Sequence, residues 1–283
     1  MTEPMDGLGA FHPALTRPEF AWIADFVYTR TGIVMKEGKQ NLVTGRLARR
    51  LRHHGLNSYT EYIDRLKDPN NPEIRLAIDL LTTNETYFFR EPKHFRFLRE
   101  LMTERRPERS PVRVWSAASS SGEEAYSIAM TLADCLPATD WEVFGTDISS
   151  RMVQRARSGL YPLDAADKIP RAMLQKYCLR GKAEIDGYLA IHPVFSTRVK
   201  FERLNLIEPL PALGYFEVIF LRNVMIYFDL DTKRALVQRV SSLLRPGGFL
   251  LVGHSETLNG IQEGLTLVHP SIYRRTDGSP GTP

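Results

Sequence analysis

Two stretches of the sequence indicate the fold. The first is Val-Arg-Val-Trp-Ser-Ala-Ala-Ser-Ser-Ser-Gly-Glu-Glu-Ala-Tyr-Ser-Ile-Ala-Met at residues 112–130, and the second is Trp-Glu-Val-Phe-Gly-Thr-Asp at residues 141–147. The apolar residues at 112–115 predict a short strand, and the small residues at 116–122 predict a tight loop. Apolar residues at helical spacing over 128–133 predict a helix, and a second apolar strand ends at Asp147. Strand, small-residue loop, helix, strand and terminal acid are the parts of a nucleotide-binding βαβ unit.

The first turn of the predicted helix carries two carboxylates, Glu123 and Glu124, and the loop before it lacks the Gly-x-Gly-x-x-Gly spacing. Carboxylates at this position repel the pyrophosphate that such a loop normally binds. They suit a ligand with a ribose and a cationic amine or sulfonium, such as S-adenosylmethionine, and Asp147 is placed to accept both ribose hydroxyls. Either glutamate alone could serve only to complement the positive end of the helix dipole. Together with Asp147, they favour the ligand.

The composition is that of an ordinary soluble enzyme: 283 residues, 43% hydrophobic and 25% charged, with a formal net charge of +4. No apolar run reaches the roughly 18 residues of a transmembrane helix, and the N-terminus lacks the apolar segment of a signal peptide. Cys135 and Cys178 are far apart, which indicates reduced thiols and a cytoplasmic location. Neither has the spacing of a metal ligand, and His53 and His54 are adjacent, so no metal site is predicted.

The pattern of apolar residues and turn signals predicts several regions. The Asp-Gly pair at 186–187 indicates a hairpin. A helix is predicted at 232–244, with Arg-Pro-Gly-Gly after it at 245–248 and a buried strand at 249–253. Apolar segments at 265–268 and 272–275 indicate a closing antiparallel pair. The predicted regions are a flexible N-terminus (1–16), a helical domain (17–82), a linker (83–91), an α/β domain (92–276) with an inserted β-subdomain at about 160–198, and a disordered tail (277–283).

The second predicted helix is strongly basic, with no acidic residue between positions 38 and 54. Its candidate docking residues are Arg46, Arg49, Arg50 and Arg52, and the first three share one face with His53. A charge run on a helix is most often a solvated face. Because compensating acids are missing from the run, we expect a docking surface for an acidic partner, either nucleic acid or an acidic protein helix.

Five stretches together resemble the CheR family, the chemoreceptor glutamate methyltransferases, and the similarity extends from about residue 17 to the end of the core. They are Thr-Asn-Glu-Thr-Tyr-Phe-Phe-Arg at 83–90, the small-residue loop and helix start at 116–129, Asn-Leu at 205–206, Phe-Leu-Arg-Asn-Val-Met-Ile-Tyr-Phe at 220–228, and Gly-His-Ser-Glu at 253–256. Two mild departures are Ser121, where the family often has Thr, and Ala125, where it often has Pro.

The resemblance implies an α/β fold, a Rossmann-like class I S-adenosylmethionine-dependent methyltransferase with a mostly parallel sheet and an antiparallel closing strand. A small N-terminal helical domain and an inserted antiparallel β-subdomain complete the expected architecture. The implied cofactor contacts are Asn84, Thr86, Arg90, Glu124, Asp147, Asn205, Leu206, Arg222 and Asn223. Between Glu123 and Glu124, alignment of the motif favours Glu124.

The implied reaction is SN2 transfer of a methyl group to a glutamate carboxylate of a chemoreceptor, which yields a methyl ester and S-adenosylhomocysteine. A glutamate with a pKa of about 4.3 is already ionised, so no general base is required. Arg90 would pair with the methionine carboxylate, although it could merely cap the following helix. Tyr227 would stand beside the transferred methyl group, or only pack beside Phe228. His254 would be a structural hydrogen bonder.

The expected partners are acidic receptor helices, toward which the basic helix would steer the enzyme, and a receptor C-terminal peptide that some family members bind on the inserted hairpin. Insertion into a membrane is not expected, and the chain is expected to be a monomer. A nucleic-acid methyltransferase is the main rival, but the sequence lacks both the Asp/Asn-Pro-Pro-aromatic and the Pro-Cys motifs. A non-catalytic S-adenosylmethionine sensor is a second rival, and the acidic first turn opposes an NAD-dependent oxidoreductase.

Overall fold

The computed structural model describes residues 13–104, 111–137, 140–195 and 197–276. Most of the N-terminus predicted to be flexible, and the whole tail predicted at 277–283, lie outside these residues. The chain divides into two units, Met1–Thr83 and Asn84–Pro283, each with its own internal contacts.

The first unit is helical, as the sequence predicts, with α1 (Arg17–Thr31), α2 (Gln40–His53), α3 (Tyr59–Lys67) and α4 (Glu73–Leu81). Helix α1 begins at a capping box, in which the Glu19 amide donates to Thr16 Oγ1 and the Glu19 carboxylate accepts from the Thr16 amide. It ends at Gly32, whose φ of 73° is the left-handed conformation that favours glycine. Apolar side chains with almost no exposure form the core of this unit: Ile23, Val27, Val43, Leu47, Leu51, Tyr62 and Leu66.

The second unit consists of ten strands and five α-helices within the described residues. The strands are β1 (Val112–Ser116), β2 (Trp141–Asp147), β3 (Leu160–Pro162), β4 (Cys178–Arg180), β5 (Tyr188–Ile191), β6 (Val199–Arg203), β7 (Phe216–Leu221), β8 (Leu244–Val252), β9 (Leu265–His269) and β10 (Ile272–Arg275). The helices are α5 (Pro92–Glu104), α6 (Glu123–Cys135), α7 (Ser150–Ser158), α8 (Arg171–Tyr177) and α9 (Leu230–Ser241).

Seven of the strands form one sheet in the order β6-β2-β1-β7-β8-β10-β9. Pairing is parallel from β6 to β8, whereas β10 runs antiparallel to both of its neighbours. The strand order reverses between β1 and β7, and the crevice at such a switch point is where open α/β sheets bind ligands. This architecture confirms the predicted mostly parallel sheet with an antiparallel closing strand.

A separate antiparallel sheet, β3-β5-β4, forms the predicted inserted β-subdomain. Its central strand β5 pairs with β4 as the expected hairpin and with β3 on the other side, so the sheet has three strands.

One prediction of local structure is wrong. The Pro-Gly-Gly at 246–248 suggests a turn between a helix and a strand that begins at residue 249, but β8 begins at Leu244. The register of β8 against β7 shifts there, and Gly247 has a φ of 73°. A Cβ on Gly248 would lie 2.9 Å from the carbonyl oxygen of Arg245. Glycine therefore permits a bulge that keeps the strand continuous.

Among the described residues, no helix is long and apolar enough to cross a membrane.

Candidate active site

The predicted site residues lie at one edge of the large sheet. The small-residue loop follows β1, Asp147 ends β2, Asn205 and Leu206 follow β6, and Arg222 and Asn223 follow β7. These strands are parallel, so their carboxyl ends meet at the same edge. The topology therefore brings together residues that are separated by more than a hundred positions in the chain.

Asp147 is buried, and its carboxylate is fixed by two backbone amides. The Ser120 amide donates to Asp147 Oδ2 at 2.8 Å, and the Ser149 amide donates to Oδ1 at 2.9 Å. The Ser120 hydroxyl donates to the carbonyl oxygen of Asn84 at 2.9 Å. The segment at residue 84, the small-residue loop and the end of β2 are thus joined by hydrogen bonds.

Gly122 shows why the loop needs small residues. Its φ is 97°, and a Cβ at this position would lie 2.8 Å from the Cβ of Ala156 on α7. Real Cβ atoms are not found at such a separation, so the loop can pack against α7 in this way only with glycine at position 122.

The two glutamates of the first turn have different environments. Glu124 accepts a hydrogen bond from Ser116 Oγ at 2.7 Å and lies 3.3 Å from Arg222 Nη1. Burial raises the pKa of Glu124, and the Arg222 guanidinium opposes this effect. Glu123 is also buried, accepts from Ser121 Oγ at 2.7 Å, and has a pKa that burial raises. Of the two glutamates, Glu124 is therefore the one that contacts Arg222. That Glu124 contacts the cofactor stays a prediction.

Arg222 is fully buried and lies between two carboxylates. Its Nη2 is 3.2 Å from Glu91 Oε2 and donates to the carbonyl oxygen of Arg90 at 2.6 Å, while Nη1 faces Glu124. The sequence does not single out Glu91, although it directly follows the predicted Arg90. The guanidinium of Arg222 organises these acids and is not open to solvent.

Glu256 holds the loop that follows β7, another role that the sequence does not indicate even though residue 256 ends one of the family-like stretches. Its Oε2 accepts the amides of Gly253 at 2.7 Å and Asn223 at 2.8 Å, and its Oε1 accepts the amide of Ile226 at 3.2 Å. Asn223 has a φ of 56°, an unusual conformation for a residue other than glycine. The Asn223 side chain also donates to Glu91 Oε1 at 3.2 Å.

The remaining predicted residues lie near this edge without joining the network through their side chains. Arg90 Nη1 donates to the carbonyl oxygen of Glu85 at 2.8 Å, and its guanidinium lies 5.7 Å from the centre of the Tyr87 ring. Thr86 is half-buried, and so is Tyr227, which ends a 3₁₀ turn.

The residues after β6 are fixed to neighbouring elements. Asn205 Nδ2 donates to Glu208 Oε1 at 2.7 Å. The carbonyl oxygen of Leu206 accepts from the Arg239 guanidinium on α9.

The basic helix contains no acid of its own, but an acid from another helix pairs with Arg50. Glu73 on α4 accepts two hydrogen bonds from its guanidinium, each at 2.7 Å, and also contacts His54 at 3.0 Å and the Tyr62 hydroxyl at 2.9 Å. Burial alone would raise the pKa of Glu73, but these hydrogen bonds lower it to about 2. Arg46 likewise donates to the carbonyl oxygens at positions 81 and 82, both at 2.9 Å.

Arg49 and Arg52 differ from these two, because both side chains are exposed. The basic helix therefore has two arginines that bind the protein itself and two that face solvent.

A seven-stranded sheet of this topology, with a buried acid ending its second strand and carboxylates in the first turn after the loop, defines a Rossmann-like S-adenosylmethionine-dependent methyltransferase. Residues 84–273 match the CheR methyltransferase, SAM binding domain, and residues 18–82 match the CheR methyltransferase, all-alpha domain. The chain belongs to the CheR methyltransferase family.

Curated relatives match over nearly their whole length. A chemotaxis protein methyltransferase of Salmonella typhimurium is 40% identical, with 92% of this chain and 91% of that protein covered. Chemotaxis protein methyltransferase 2 of Pseudomonas aeruginosa is 40% identical, with 95% and 96% covered. A chemotaxis protein methyltransferase of Borreliella burgdorferi is 37% identical, with 92% and 95% covered.

Proposed function

We propose that this methyltransferase acts in the cytoplasm on chemoreceptors and esterifies glutamate side chains in their acidic helices, as part of sensory adaptation. The observation that carries the proposal is the similarity to proteins named chemotaxis protein methyltransferases over more than nine-tenths of the chain. Nucleic acid is not proposed as a substrate or a partner.

The proposed cofactor contacts are the residues at the carboxyl edge of the sheet: Asn84, Thr86, Arg90, Glu124, Asp147, Asn205, Leu206, Arg222 and Asn223. Asp147 is suited to a ribose because the amides of Ser120 and Ser149 orient its carboxylate at the ligand-binding edge of the sheet. A carboxylate can accept hydrogen bonds from both hydroxyls of a ribose. The surrounding carboxylates fit a ligand that carries positive charge near the reacting atom.

In the proposed mechanism, the bound cofactor supplies a methyl group on a sulfonium ion. A glutamate oxygen would accept this methyl carbon as the carbon–sulfur bond breaks, which would leave S-adenosylhomocysteine. The substrate carboxylate is already ionised, so the chain need not remove a proton. Arg90 orients the methionine carboxylate, and Tyr227 forms a wall beside the methyl group. Alignment of the reacting atoms then supplies most of the rate enhancement.

Receptor docking is proposed to use the exposed arginines of the basic helix, Arg49 and Arg52, because positive charge steers the enzyme toward acidic helices. Arg46 and Arg50 support this surface by fixing α2 to neighbouring backbone and to Glu73. We expect Arg49→Glu with Arg52→Glu to slow methylation of receptors and leave cofactor affinity unchanged. The matched control is Arg65→Glu, a charge reversal at an exposed position of α3. An equal loss in the control would reject the docking role.

The inserted β-subdomain offers a second proposed contact. Strand β4 is at the edge of its sheet, where Leu179 is 46% exposed, and Tyr188 at the start of the neighbouring strand β5 is 45% exposed. An extended receptor peptide could add as a further strand, with backbone hydrogen bonds supplying affinity. Deletion of residues 181–187 should then reduce methylation only of receptors that end in such a peptide. Equal loss on receptors without it would contradict this role.

The decisive experiment is transfer of a radiolabelled methyl group from S-adenosylmethionine to receptor-containing membranes, followed by mild alkali. Label released as volatile methanol identifies a carboxyl methyl ester. Label that survives alkali would identify N- or C-methylation and would refute the proposed substrate. Membranes that lack receptors are the control and should remain unlabelled.

A further inference from the structure

Glu91, His94 and His254 form a cluster that the methyl-transfer reaction does not use directly. One ligand atom from each residue lies within 4.8 Å of the other two. His94 belongs to the first turn of α5, and His254 follows β8 by two residues. No local spacing in the sequence indicates this cluster, because Glu91 and His254 are separated by 163 positions.

The hydrogen bonds of His94 leave one of its ring nitrogens facing a carboxylate. His94 Nε2 lies 2.9 Å from Ser271 Oγ, within hydrogen-bond distance. His94 Nδ1 lies 3.4 Å from Glu91 Oε2.

This arrangement is unfavourable as it stands. The His94 side chain is only 1% exposed, and its Nδ1 has no hydrogen-bond partner within the described part of the chain. A buried polar atom without a hydrogen-bond partner costs free energy, and a metal ion bound between this nitrogen and the Glu91 carboxylate would remove that cost. His254 lies at the open side of the pair, with Nε2 at 3.8 Å from the same Glu91 oxygen and a side chain 46% exposed.

We propose that Glu91, His94 and His254 bind a divalent first-row transition-metal ion, for which Zn²⁺ is the probe. Two imidazoles and one carboxylate are a common three-ligand set for zinc, with water as the fourth ligand. Ligands at about 2.1 Å in a tetrahedron are separated by roughly 3.4 Å. The observed separations of 3.4 and 3.8 Å from Glu91 Oε2 are close to this value.

The entrance is a cavity of about 410 Å³ that His94 and His254 line together with His269 and Ser271. Positive charge opposes the binding of a metal ion at this site. Lys93 also lines the cavity, and Arg222 Nη2 lies 3.2 Å from Glu91 Oε2. A metal ion must therefore share the Glu91 carboxylate with Arg222, which limits the affinity and couples the metal to the neighbouring Glu124.

The test is calorimetric titration of the full, tag-free chain with ZnCl₂. We expect one zinc per chain and at least about tenfold weaker binding in His254→Ala, which removes one ligand. The matched control is His269→Ala, which removes an imidazole from the same cavity but outside the cluster, and it should bind zinc as the unaltered chain does. Equal zinc affinity in His254→Ala and the unaltered chain, or no zinc binding at micromolar concentration, would overturn the proposal.

The coupling is tested separately and rests on the proposed role of Glu124 in cofactor binding. Because zinc draws Glu91 away from Arg222, saturating zinc should weaken S-adenosylmethionine binding in the unaltered chain but not in His254→Ala. Since coupling between two ligands is reciprocal, S-adenosylmethionine should weaken zinc binding by the same factor. If zinc binds but neither affinity changes, the coupling is wrong and the site stands. If the unaltered chain does not bind S-adenosylmethionine even without zinc, the cofactor role fails instead.

Discussion

Replacing Glu73 by glutamine should loosen the helical unit strongly near neutral pH. The pKa of Glu73 is about 2 in the folded chain, against an ordinary value of 4.5, and its side chain is only 4% exposed. Each pKa unit corresponds to about 1.4 kcal/mol, so the ionised carboxylate contributes about 3 kcal/mol. Because the folded pKa is depressed, this stability is present above pH 4.5 and is lost as the pH falls toward 2.

The measurement is amide hydrogen exchange of peptides from α2 and α4, which reports opening of the helical unit separately from the rest of the chain. We expect Glu73→Gln to lower the opening free energy at pH 7 by about 3 kcal/mol, which raises the opening constant roughly a hundredfold. The difference from the unaltered chain should shrink as the pH falls below 4.5.

The matched control is Asp64→Asn on α3, where an exposed carboxylate contacts Lys67 at 2.8 Å. Exposed pairs of this kind contribute under about 0.5 kcal/mol. A loss below about 1 kcal/mol in Glu73→Gln, or a loss of equal size at pH 3 and pH 7, would refute the assignment. Arg50 would then be available for receptor docking.

Three further outcomes are expected. Asp147→Ala should weaken S-adenosylmethionine binding at least about tenfold by calorimetry, and unchanged affinity would reject the ribose role. Glu256→Gln places an amide group among backbone N–H donors, so methyl transfer should fall while the far-UV circular dichroism is unchanged; full activity would show that the loop does not need this carboxylate. Gly122→Ala should lower the melting temperature more than Gly187→Ala. Both positions have positive φ, but only at Gly122 would the added Cβ lie 2.8 Å from a neighbouring Cβ. Equal shifts in melting temperature would contradict the close packing.

The sequence predicts much of the architecture because its signals are local. Small residues at 116–122, an acid at the end of an apolar strand and Asp-Gly at 186–187 each indicate a structure through their immediate neighbours. The βαβ unit then follows, since parallel strands joined by a helix have few possible arrangements. The bulge in β8 is different: a Pro-Gly-Gly sequence suits both a turn and a distorted strand, and only the pairing with β7 decides between them.

The sequence does not reveal which charged residues form ion pairs when they are far apart in the chain. Positions 38–54 contain no acid, but Arg50 pairs with Glu73, which is 23 positions further along the chain. Glu91 lies 3.2 Å from Arg222 at a place where Phe95 of α5 stacks on Phe220 of β7. Charges on one helix face therefore indicate docking only after every packed neighbour has been considered.

The charges at the carboxyl edge of the sheet also explain which cofactor this fold accepts. The carboxyl groups of Glu91, Glu123, Glu124, Asp147 and Glu256 outnumber the guanidinium groups of Arg90 and Arg222 at this edge. The methionine part of S-adenosylmethionine carries a sulfonium, an ammonium and a carboxylate, which leave one positive charge. A pyrophosphate would instead bring two negative charges to an edge that is already negative, where burial strengthens the repulsion. The same sheet topology that binds dinucleotides elsewhere is thereby directed to a sulfonium cofactor.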